Sequence, residues 1–413
     1  MVFSLLLVRY SIKYLDSSLY GLWITIASIA AWANACDLGI SNGLRNELAK
    51  AIANEDYLRQ KNLIYTAVIM LTKLSLVIFF GLTVLTECFF IFGIMNSIVR
   101  IPMYITNITF CITFALGISR SVAYSYQKSW LASFAQSVTV LLQICGILLL
   151  SGLNVVPNLV IFSIFNGLGG ILGNAVVVLL LWLSLRKKLF ARKDVSYDTT
   201  HRNAIMNIGL QFFLIQLSCI ALYSTDNVII NKLFDSQQVT KYAIITQVYN
   251  AGESIFSLIL ISLWSAVTYM ATKEEWQWIK KEIRLIQKIW IVFAGGVIAV
   301  SLFFNHIVQL WLGHDAMYYE PDIVSIFCIY TILMTFGAIY VNVTNGLGRI
   351  KMQLICSVIS GIINIPLSVF FASWMNLGLL GIKLATLLCL YCSIVLIPID
   401  IEILMWQKLR KKI

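Results

Sequence analysis

The chain has 413 residues, of which 60% are hydrophobic and only 12% are charged, and its mean hydropathy is +0.86. Soluble domains carry about a quarter charged residues, so the composition excludes an ordinary soluble protein. A spanning helix takes about 20 apolar residues, and the apolar content therefore corresponds to roughly twelve crossings. The net charge of +11 could indicate nucleic-acid binding, but basic residues in membrane proteins more often mark cytoplasmic loops.

Uncharged stretches divide the chain into helices. From Ser129 to Leu185 there is no Lys, Arg, Asp or Glu, and one helix of that length would be about 85 Å long. Two helices must therefore share this stretch, with a break at 151–158, where Gly, Asn and Pro occur together. The same reasoning along the chain predicts an all-α membrane protein with about twelve helices. They cover 1–15, 19–43, 63–86, 101–119, 131–151, 159–185, 205–231, 242–270, 287–312, 323–345, 352–374 and 378–403.

The first crossing is expected to be short or truncated. Only Met1–Val8 precede Arg9, and eight residues cannot span a bilayer. Either the start of the protein lies upstream of this sequence, or the first helix is stunted.

Basic residues orient the helices. Of the thirty Lys and Arg residues, twenty-three lie in one set of alternate segments and six in the opposite set, with Lys73 left inside a helix. The six are Arg9, Lys13, Arg100, Lys232, Lys241 and Lys383. Short cytoplasmic loops carry an excess of Lys and Arg. The distribution therefore predicts that the 186–204 loop and the C-terminus face the cytoplasm, with no nucleic-acid partner.

Short similarities indicate an internal repeat. The segment 19–25 opens the second predicted helix, and the similar segment 241–246 opens the eighth, 222 residues later. The pair 126–128 and 349–351 falls at nearly the same offset. Such repeats build two lobes that rock around a central cavity in many transporters. The predicted organisation is an N-terminal lobe of helices 1–6 at 1–185, a basic cytoplasmic linker at 186–204, a C-terminal lobe of helices 7–12 at 205–405, and a basic cytoplasmic tail at 406–413.

One cytoplasmic segment has an amphipathic pattern. In Lys273–Ile286, the residues Trp276, Ile279, Ile283 and Ile286 fall on one helical stripe, with charged residues elsewhere. This pattern predicts a separate interfacial helix lying on the cytoplasmic leaflet.

Four ionisable residues fall inside predicted crossings. Lys73 and Glu253 lie near the middle of their helices, Asp226 toward the outer end of its helix, and Asp37 in the inner third. A charge at this depth costs at least about 2.5–3.5 kcal/mol on insertion scales. These charges either pair or snorkel to hold helices together, or line a hydrated cavity. In the second case Lys73 attracts an anionic headgroup, and Glu253, Asp226 or Asp37 carries a coupling proton or sodium ion.

The sequence contains no phosphate-binding loop of the GxxxxGK[ST] type. We therefore predict a transporter, not an enzyme, whose transport is secondary or driven by a partner. No metal site and no cofactor is predicted beyond a coupling proton or sodium ion.

Several motifs resemble those of a known family. The segments 20–23 (Tyr-Gly-Leu-Trp), 37–44 (Asp-Leu-Gly-Ile-Ser-Asn-Gly-Leu), 225–230 (Thr-Asp-Asn-Val-Ile-Ile) and 276–279 (Trp-Gln-Trp-Ile) are similar to those of the O-antigen flippases. These are the Wzx-type members of the polysaccharide transporter branch of the multidrug/oligosaccharidyl-lipid/polysaccharide (MOP) exporter superfamily. The sequence departs from that family in its short first helix.

The resemblance implies a multi-pass protein of the bacterial inner membrane with its C-terminus in the cytoplasm. The implied substrate is an oligosaccharide repeat unit on undecaprenyl diphosphate, moved from the cytoplasmic to the periplasmic leaflet for lipopolysaccharide biosynthesis. The implied partners are this lipid-linked oligosaccharide, the bilayer, an O-antigen polymerase and a chain-length regulator. Candidates to bind the diphosphate are Lys73, Arg45, Arg120 and Lys128, and for the last three a purely topological role fits equally well.

Two other functions stay open at this point. A multidrug or cation exporter of the same superfamily would bind cations through buried carboxylates and would not need Lys73. A membrane O-antigen polymerase would need catalytic groups in sizeable periplasmic loops, and no predicted outer loop exceeds about fifteen residues.

Overall fold

The computed structural model describes residues 2–33, 36–93, 97–189, 198–223, 225–234, 236–312 and 317–410. Throughout these ranges the chain forms helices joined by turns and contains no β-strand. Ten helical segments in the described ranges are long and apolar enough to cross a bilayer. The predicted all-α membrane fold is therefore confirmed.

The chain divides into two compact units, Met1–Phe213 and Leu214–Ile413. The helices of the first unit are α1 (Val2–Ala33), α2 (Ile40–Ala53), α3 (Tyr57–Ile91), α4 (Arg100–Leu116), α5 (Ile118–Ser125), α6 (Ser129–Gly152) and α7 (Leu159–Leu189). The border falls inside α8 (Thr199–Tyr223). Of the predicted linker at 186–204, residues 190–197 lie outside the described ranges, as do residues 411–413 of the predicted tail.

The second unit contains the remaining helices. They are α9 (Asp226–Leu233), α10 (Ser236–Thr272), α11 (Trp276–Leu302), α12 (Phe304–Leu312), α13 (Pro321–Leu347), α14 (Lys351–Val369) and α15 (Gly378–Arg410), with a π-helical turn (Phe370–Trp374) between the last two.

Helix α1 is two helices joined at a kink. Asp16 has a φ of 65° and a ψ of 175°, which no α-helix can contain. Its carboxylate accepts a hydrogen bond from the Leu19 amide at 3.0 Å and so caps the second segment. The first segment therefore ends at Leu15, where the predicted helix over 1–15 ends.

The predicted helix over 205–231 is wrong as a single element. The structure has two helices there, because α8 ends at Tyr223 and α9 begins at Asp226. The intervening Ser-Thr-Asp sequence is typical of a helix start, since its short polar side chains compete for backbone hydrogen bonds. The break places Asp226 in the first turn of α9.

The predicted interfacial helix at 273–286 is also wrong. Residues from Trp276 onward form the first turns of α11, which continues without interruption to Leu302. The apolar stripe is real, but Ile279, Ile283 and Ile286 are almost fully buried in the second unit's core. A stripe that packs on neighbouring helices has the same sequence pattern as one that packs on a leaflet.

The two units repeat the same connecting turns. Three pairs of residues with a positive φ lie 219 to 222 residues apart, each within two residues of the end of a helix or helical turn. The pairs are Glu55 and Glu274, Gln127 and Gly348, and Asn154 and Asn376. In the first pair, the amide of the next residue bonds back by five positions in both units, from Asp56 to Ala51 and from Glu275 to Met270. The internal repeat that the sequence indicates is thus present in backbone geometry.

Helices α2 and α8 touch through their backbones. A Cβ on Gly39 would lie 1.8 Å from the carbonyl oxygen of Gly209, and one on Gly43 would lie 2.1 Å from that of Ile205. Gly39 also has a φ of +70°, a backbone conformation that other residues rarely adopt. The Gly39 of the 37–44 motif is therefore required by both conformation and space, and it fixes the start of α2.

Candidate functional sites

A cavity of about 220 Å³ opens within the first unit, and we call it the arginine cavity. It is lined by Asp37, Ser41, Asn42, Arg45, Leu71, Phe114, Gly117, Arg120, Ser121 and Tyr124. The structure thus brings Asp37, an ion-coupling candidate from the sequence, together with Arg45 and Arg120, two of the candidates for the diphosphate. Its volume corresponds to several water molecules at about 30 Å³ each, so a small polar group can enter.

Arg45 is the buried cation of this cavity. Its side chain is only 5% exposed, and its guanidinium carbon lies 4.8 Å from the centroid of the Tyr124 ring. Burial lowers the pKa of this guanidinium to about 9, which leaves it cationic at neutral pH. The backbone oxygen of Arg45 accepts a hydrogen bond from Ser125 at 3.1 Å, so α2 and α5 are held together at this point. The positive charge is fixed in place before any ligand arrives.

Arg120 is the exposed cation of the same cavity. It lies in the first turn of α5, directly after the break at Gly117 that separates α4 from α5. A Cβ on Gly117 would lie 3.3 Å from an Arg120 guanidinium nitrogen. The glycine therefore leaves room for the guanidinium at the cavity wall.

Asp37 is held by the start of α2. One carboxylate oxygen accepts the Gly39 amide at 2.9 Å and the other accepts the Ser41 amide at 3.3 Å. This is the contact of a capping residue, which satisfies amides at a helix N-terminus. Asp37 therefore serves the local fold and also supplies a negative charge to the cavity.

The other two predicted cationic candidates do not line the arginine cavity. Lys73 is exposed on α3, two residues beyond Leu71, which does line it. Lys128 is half-buried at the N-cap of α6. All four cations are predicted from the sequence to bind the diphosphate together, whereas the structure brings only Arg45 and Arg120 of these four to one cavity.

A second group of buried charges lies within the second unit, and we call it the lysine–carboxylate cluster: Asp226, Glu253 and Lys383. Asp226 and Lys383 are each 5% exposed, and Glu253 is half-buried. Tyr242 donates a hydrogen bond to Asp226 at 2.6 Å, and Thr331 donates one to Glu253 at 3.2 Å. Lys383 interacts electrostatically with both carboxylates.

Aromatic side chains surround this cluster. The Lys383 ammonium lies 3.3 Å from the centroid of the Tyr330 ring and 4.6 Å from that of the Phe327 ring. Tyr249 stacks on Phe327 at 5.8 Å between ring centroids. An apolar surrounding of this kind strengthens charge–charge interactions compared with water.

The basic-residue pattern places Lys383 in the outer set of segments, and the structure corrects this assignment. In the structure it lies in α15, near the start of a helix whose first turns are apolar. Hydropathy does not distinguish a lysine that snorkels to a helix end from one that points into a lobe. A usable signal was the presence of two buried carboxylates, Asp226 and Glu253, for which the sequence analysis names no cation in the same lobe.

No protein-family model matches the chain. Two curated bacterial proteins are similar to it along most of its length. One, from Salmonella typhimurium, is named a putative O-antigen transporter and is 21% identical, over 92% of this chain and 88% of that protein. The other, from Yersinia pseudotuberculosis, is named a putative O-antigen export protein and has the same identity and coverage.

Solved structures of membrane transporters have the same fold. An outward-facing multidrug resistance MATE family transporter of the MOP superfamily matches with a TM-score of 0.82, at 14% identity, over 98% of this chain and 92% of that one. A MOP superfamily transporter from Pyrococcus furiosus, whose binding pocket is described as having reverse polarity, matches equally well. The resemblance predicted from the motifs is thus confirmed, and the chain is a multi-pass membrane protein with the fold of the MOP superfamily transporters.

Proposed function

We propose that the protein is a flippase for undecaprenyl-diphosphate-linked O-antigen repeat units. It moves them from the cytoplasmic to the periplasmic leaflet of the bacterial inner membrane by alternating access between its two units, and its C-terminus lies in the cytoplasm. The arginine cavity carries this proposal, because a site with two arginines suits an anionic headgroup. The names of the two similar bacterial proteins agree with it.

The chemistry of the substrate explains why such a cavity is needed. A diphosphate with attached sugars cannot cross about 30 Å of hydrocarbon unaided, because its charges would lose their hydration. Guanidinium groups match phosphate geometry through pairs of parallel hydrogen bonds. Arg45 and Arg120 are the residues that we expect to replace water around the diphosphate. Lys73 and Lys128 remain candidates for contacts along the path outside this cavity.

A coupling ion is proposed for the second unit. Asp226 and Glu253 are buried carboxylates without a structural duty as plain as the capping contact of Asp37. We therefore rank Asp226 and Glu253 above Asp37 as carriers of a coupling proton or sodium ion. The ion would bind these carboxylates from one side of the membrane and leave them toward the other side. This movement would drive transport of the substrate against a gradient.

A multidrug or cation exporter is the second candidate. Buried carboxylates such as Asp226 and Glu253 attract cationic drugs, and this observation favours it. Arg45 and Arg120 argue the other way, because a cavity with two arginines and one aspartate has a net positive charge, which repels a cation. A drug-efflux assay and a lipid-linked sugar assay on the same cells separate the two functions.

Deletion of the gene in a polysaccharide-producing host tests the proposal. We expect single lipid-linked repeat units to accumulate in the inner leaflet and long surface polymer to disappear. Complementation with the wild-type gene should restore the polymer, and complementation with Arg45→Gln plus Arg120→Gln should not. Undiminished long polymer in a deletion host that carries no other flippase gene would contradict the proposal. A polymerase and a chain-length regulator are the expected downstream partners.

A further inference from the structure

We propose that Lys383 is a built-in counter-cation of Asp226 and Glu253, and that it excludes sodium and other free monovalent cations from these carboxylates. The inference concerns what the lysine–carboxylate cluster binds. The consequence of this inference for transport rests on the proposed function, because it decides whether the coupling ion is a proton or a sodium ion.

Asp226 offers the oxygen that a free cation would use. One of its carboxylate oxygens accepts the hydrogen bond from Tyr242 at 2.6 Å. The other, Oδ1, is buried and has no hydrogen-bond partner among the described residues. A buried carboxylate oxygen without a partner is costly and attracts a proton donor or a cation.

Lys383 already supplies a positive charge to this region. Lys383 is 5% exposed, and its ammonium rests against the face of Tyr330 and interacts electrostatically with both Asp226 and Glu253. No direct ion pair with a carboxylate is formed within the described residues, so the attraction acts through the low-dielectric interior. A buried ammonium is tolerated only with compensating negative charge, and here the two carboxylates provide it.

The covalent tether keeps the ammonium at this place. Lys383 is part of α15 and lies between α13 rings, whereas a sodium ion must leave water to enter. A sodium ion bound at Asp226 would face the ammonium in an apolar setting. At an effective dielectric constant of 20, repulsion between unit charges about 10 Å apart or closer weakens binding by about 10-fold or more.

The charge count leaves room for one exchangeable positive charge. With Lys383 cationic and both carboxylates ionised, the cluster carries one net negative charge, and repulsion by the ammonium favours a proton, which bonds to a carboxylate oxygen, over a sodium ion. Within the described residues, the other ionisable side chains near the cluster are phenols and a thiol, with no further Asp, Glu, His, Lys or Arg among them: Tyr242 and Tyr249 on α10, and Cys328 and Tyr330 on α13. Neither α14 nor the π-helical turn adds a charge within the membrane-spanning part that packs on α15.

Sodium binding to the purified full-length protein tests the inference. Equilibrium binding of radioactive sodium is measured in detergent, with N-methylglucamine chloride keeping the ionic strength constant. We expect no saturable binding to the wild type and to Lys383→Arg. Lys383→Gln should bind sodium at least ~10-fold more tightly, and the double variant Lys383→Gln/Asp226→Asn should lose that binding. Lys351→Gln, which removes an exposed lysine from the same unit, is the matched control and should behave like the wild type.

Two results would overturn the inference. One is saturable sodium binding to the wild type that the Asp226→Asn substitution abolishes. This measurement does not use Lys383→Gln, so it decides the question even if that variant does not fold. The other is a folded Lys383→Gln protein that binds no more sodium than the wild type. Because binding in detergent requires no flipping, failure of the proposed function would leave this test intact. If the wild-type protein neither flips the substrate nor binds sodium, the proposed function fails but the inference that Lys383 excludes sodium stands.

Discussion

Replacement of Arg120 by Gln is the perturbation that separates ligand binding from folding at the arginine cavity. Arg120 is exposed, whereas Arg45 is buried over the Tyr124 ring. Removal of Arg45 would cost folding stability as well as ligand affinity. Removal of the Arg120 guanidinium should leave the unfolding temperature of the protein close to that of the wild type, because surface substitutions usually change stability by less than about 0.5 kcal/mol.

The expected loss of affinity follows from the contacts that Arg120 can make. A hydrogen bond to a charged group contributes about 1.5–3 kcal/mol, which corresponds to about 10- to 150-fold in the dissociation constant. We expect the lower half of that range, since solvent and salt screen an exposed guanidinium. Inorganic pyrophosphate is the simplest probe, and its binding to purified protein can be measured by calorimetry.

The control and the refuting result are both well defined. Arg202→Gln removes another exposed arginine of the first unit that does not line the cavity. It should bind pyrophosphate like the wild type. Equal affinities of the wild type and a folded Arg120→Gln protein would refute the assignment of Arg120 to the headgroup site. Equal losses in Arg120→Gln and Arg202→Gln would show only a general effect of net charge and would refute it too.

Three further predictions concern the packing and the remaining cationic candidate. Gly39→Ala should lower the free energy of unfolding by more than about 2 kcal/mol, measured by chemical denaturation. The new methyl group would collide with a carbonyl oxygen, and alanine would be forced into a left-handed backbone conformation. The control Gly81→Ala places its methyl group in open space and should be neutral or slightly stabilising. Ile283→Ala should cost about 2 kcal/mol or more and Leu285→Ala less than about 0.5 kcal/mol, because only the first is buried, and the reverse order would favour the interfacial helix. Lys73→Gln should reduce flipping less than loss of either cavity arginine, and complete loss of flipping would return Lys73 to the centre of the mechanism.

The fold was predictable to the extent that a bilayer imposes it. Helix length and the absence of charge follow from the thickness of the hydrocarbon, so the break near Asn154 and most crossings were recognised from the sequence. The positions that failed depend on packing between helices. The break before Asp226 leaves no interruption in the apolar pattern, and the burial of the Ile283 stripe depends on which surface it meets.

The candidate sites were predictable only in part, for a related reason. Charge at membrane depth selected Asp226 and Glu253, but Lys383 was counted with the outer set of basic residues because it lies close to the start of the predicted helix 378–403. Which cations share a cavity is a matter of three-dimensional contact. Arg45 and Arg120 are 75 residues apart in the sequence and meet only because α2 packs on α5.

Reconstitution gives the most direct test of the central claim. Purified protein in proteoliposomes is supplied with undecaprenyl-diphosphate-linked oligosaccharide, and flipping is followed by the access of an impermeant sugar-modifying enzyme to the outer leaflet. We predict that the wild type exposes the sugar, that Arg45→Gln/Arg120→Gln does not, and that no cationic drug is transported by the same vesicles. Drug transport without movement of the lipid-linked sugar would contradict the claim and would identify the protein as a cation exporter.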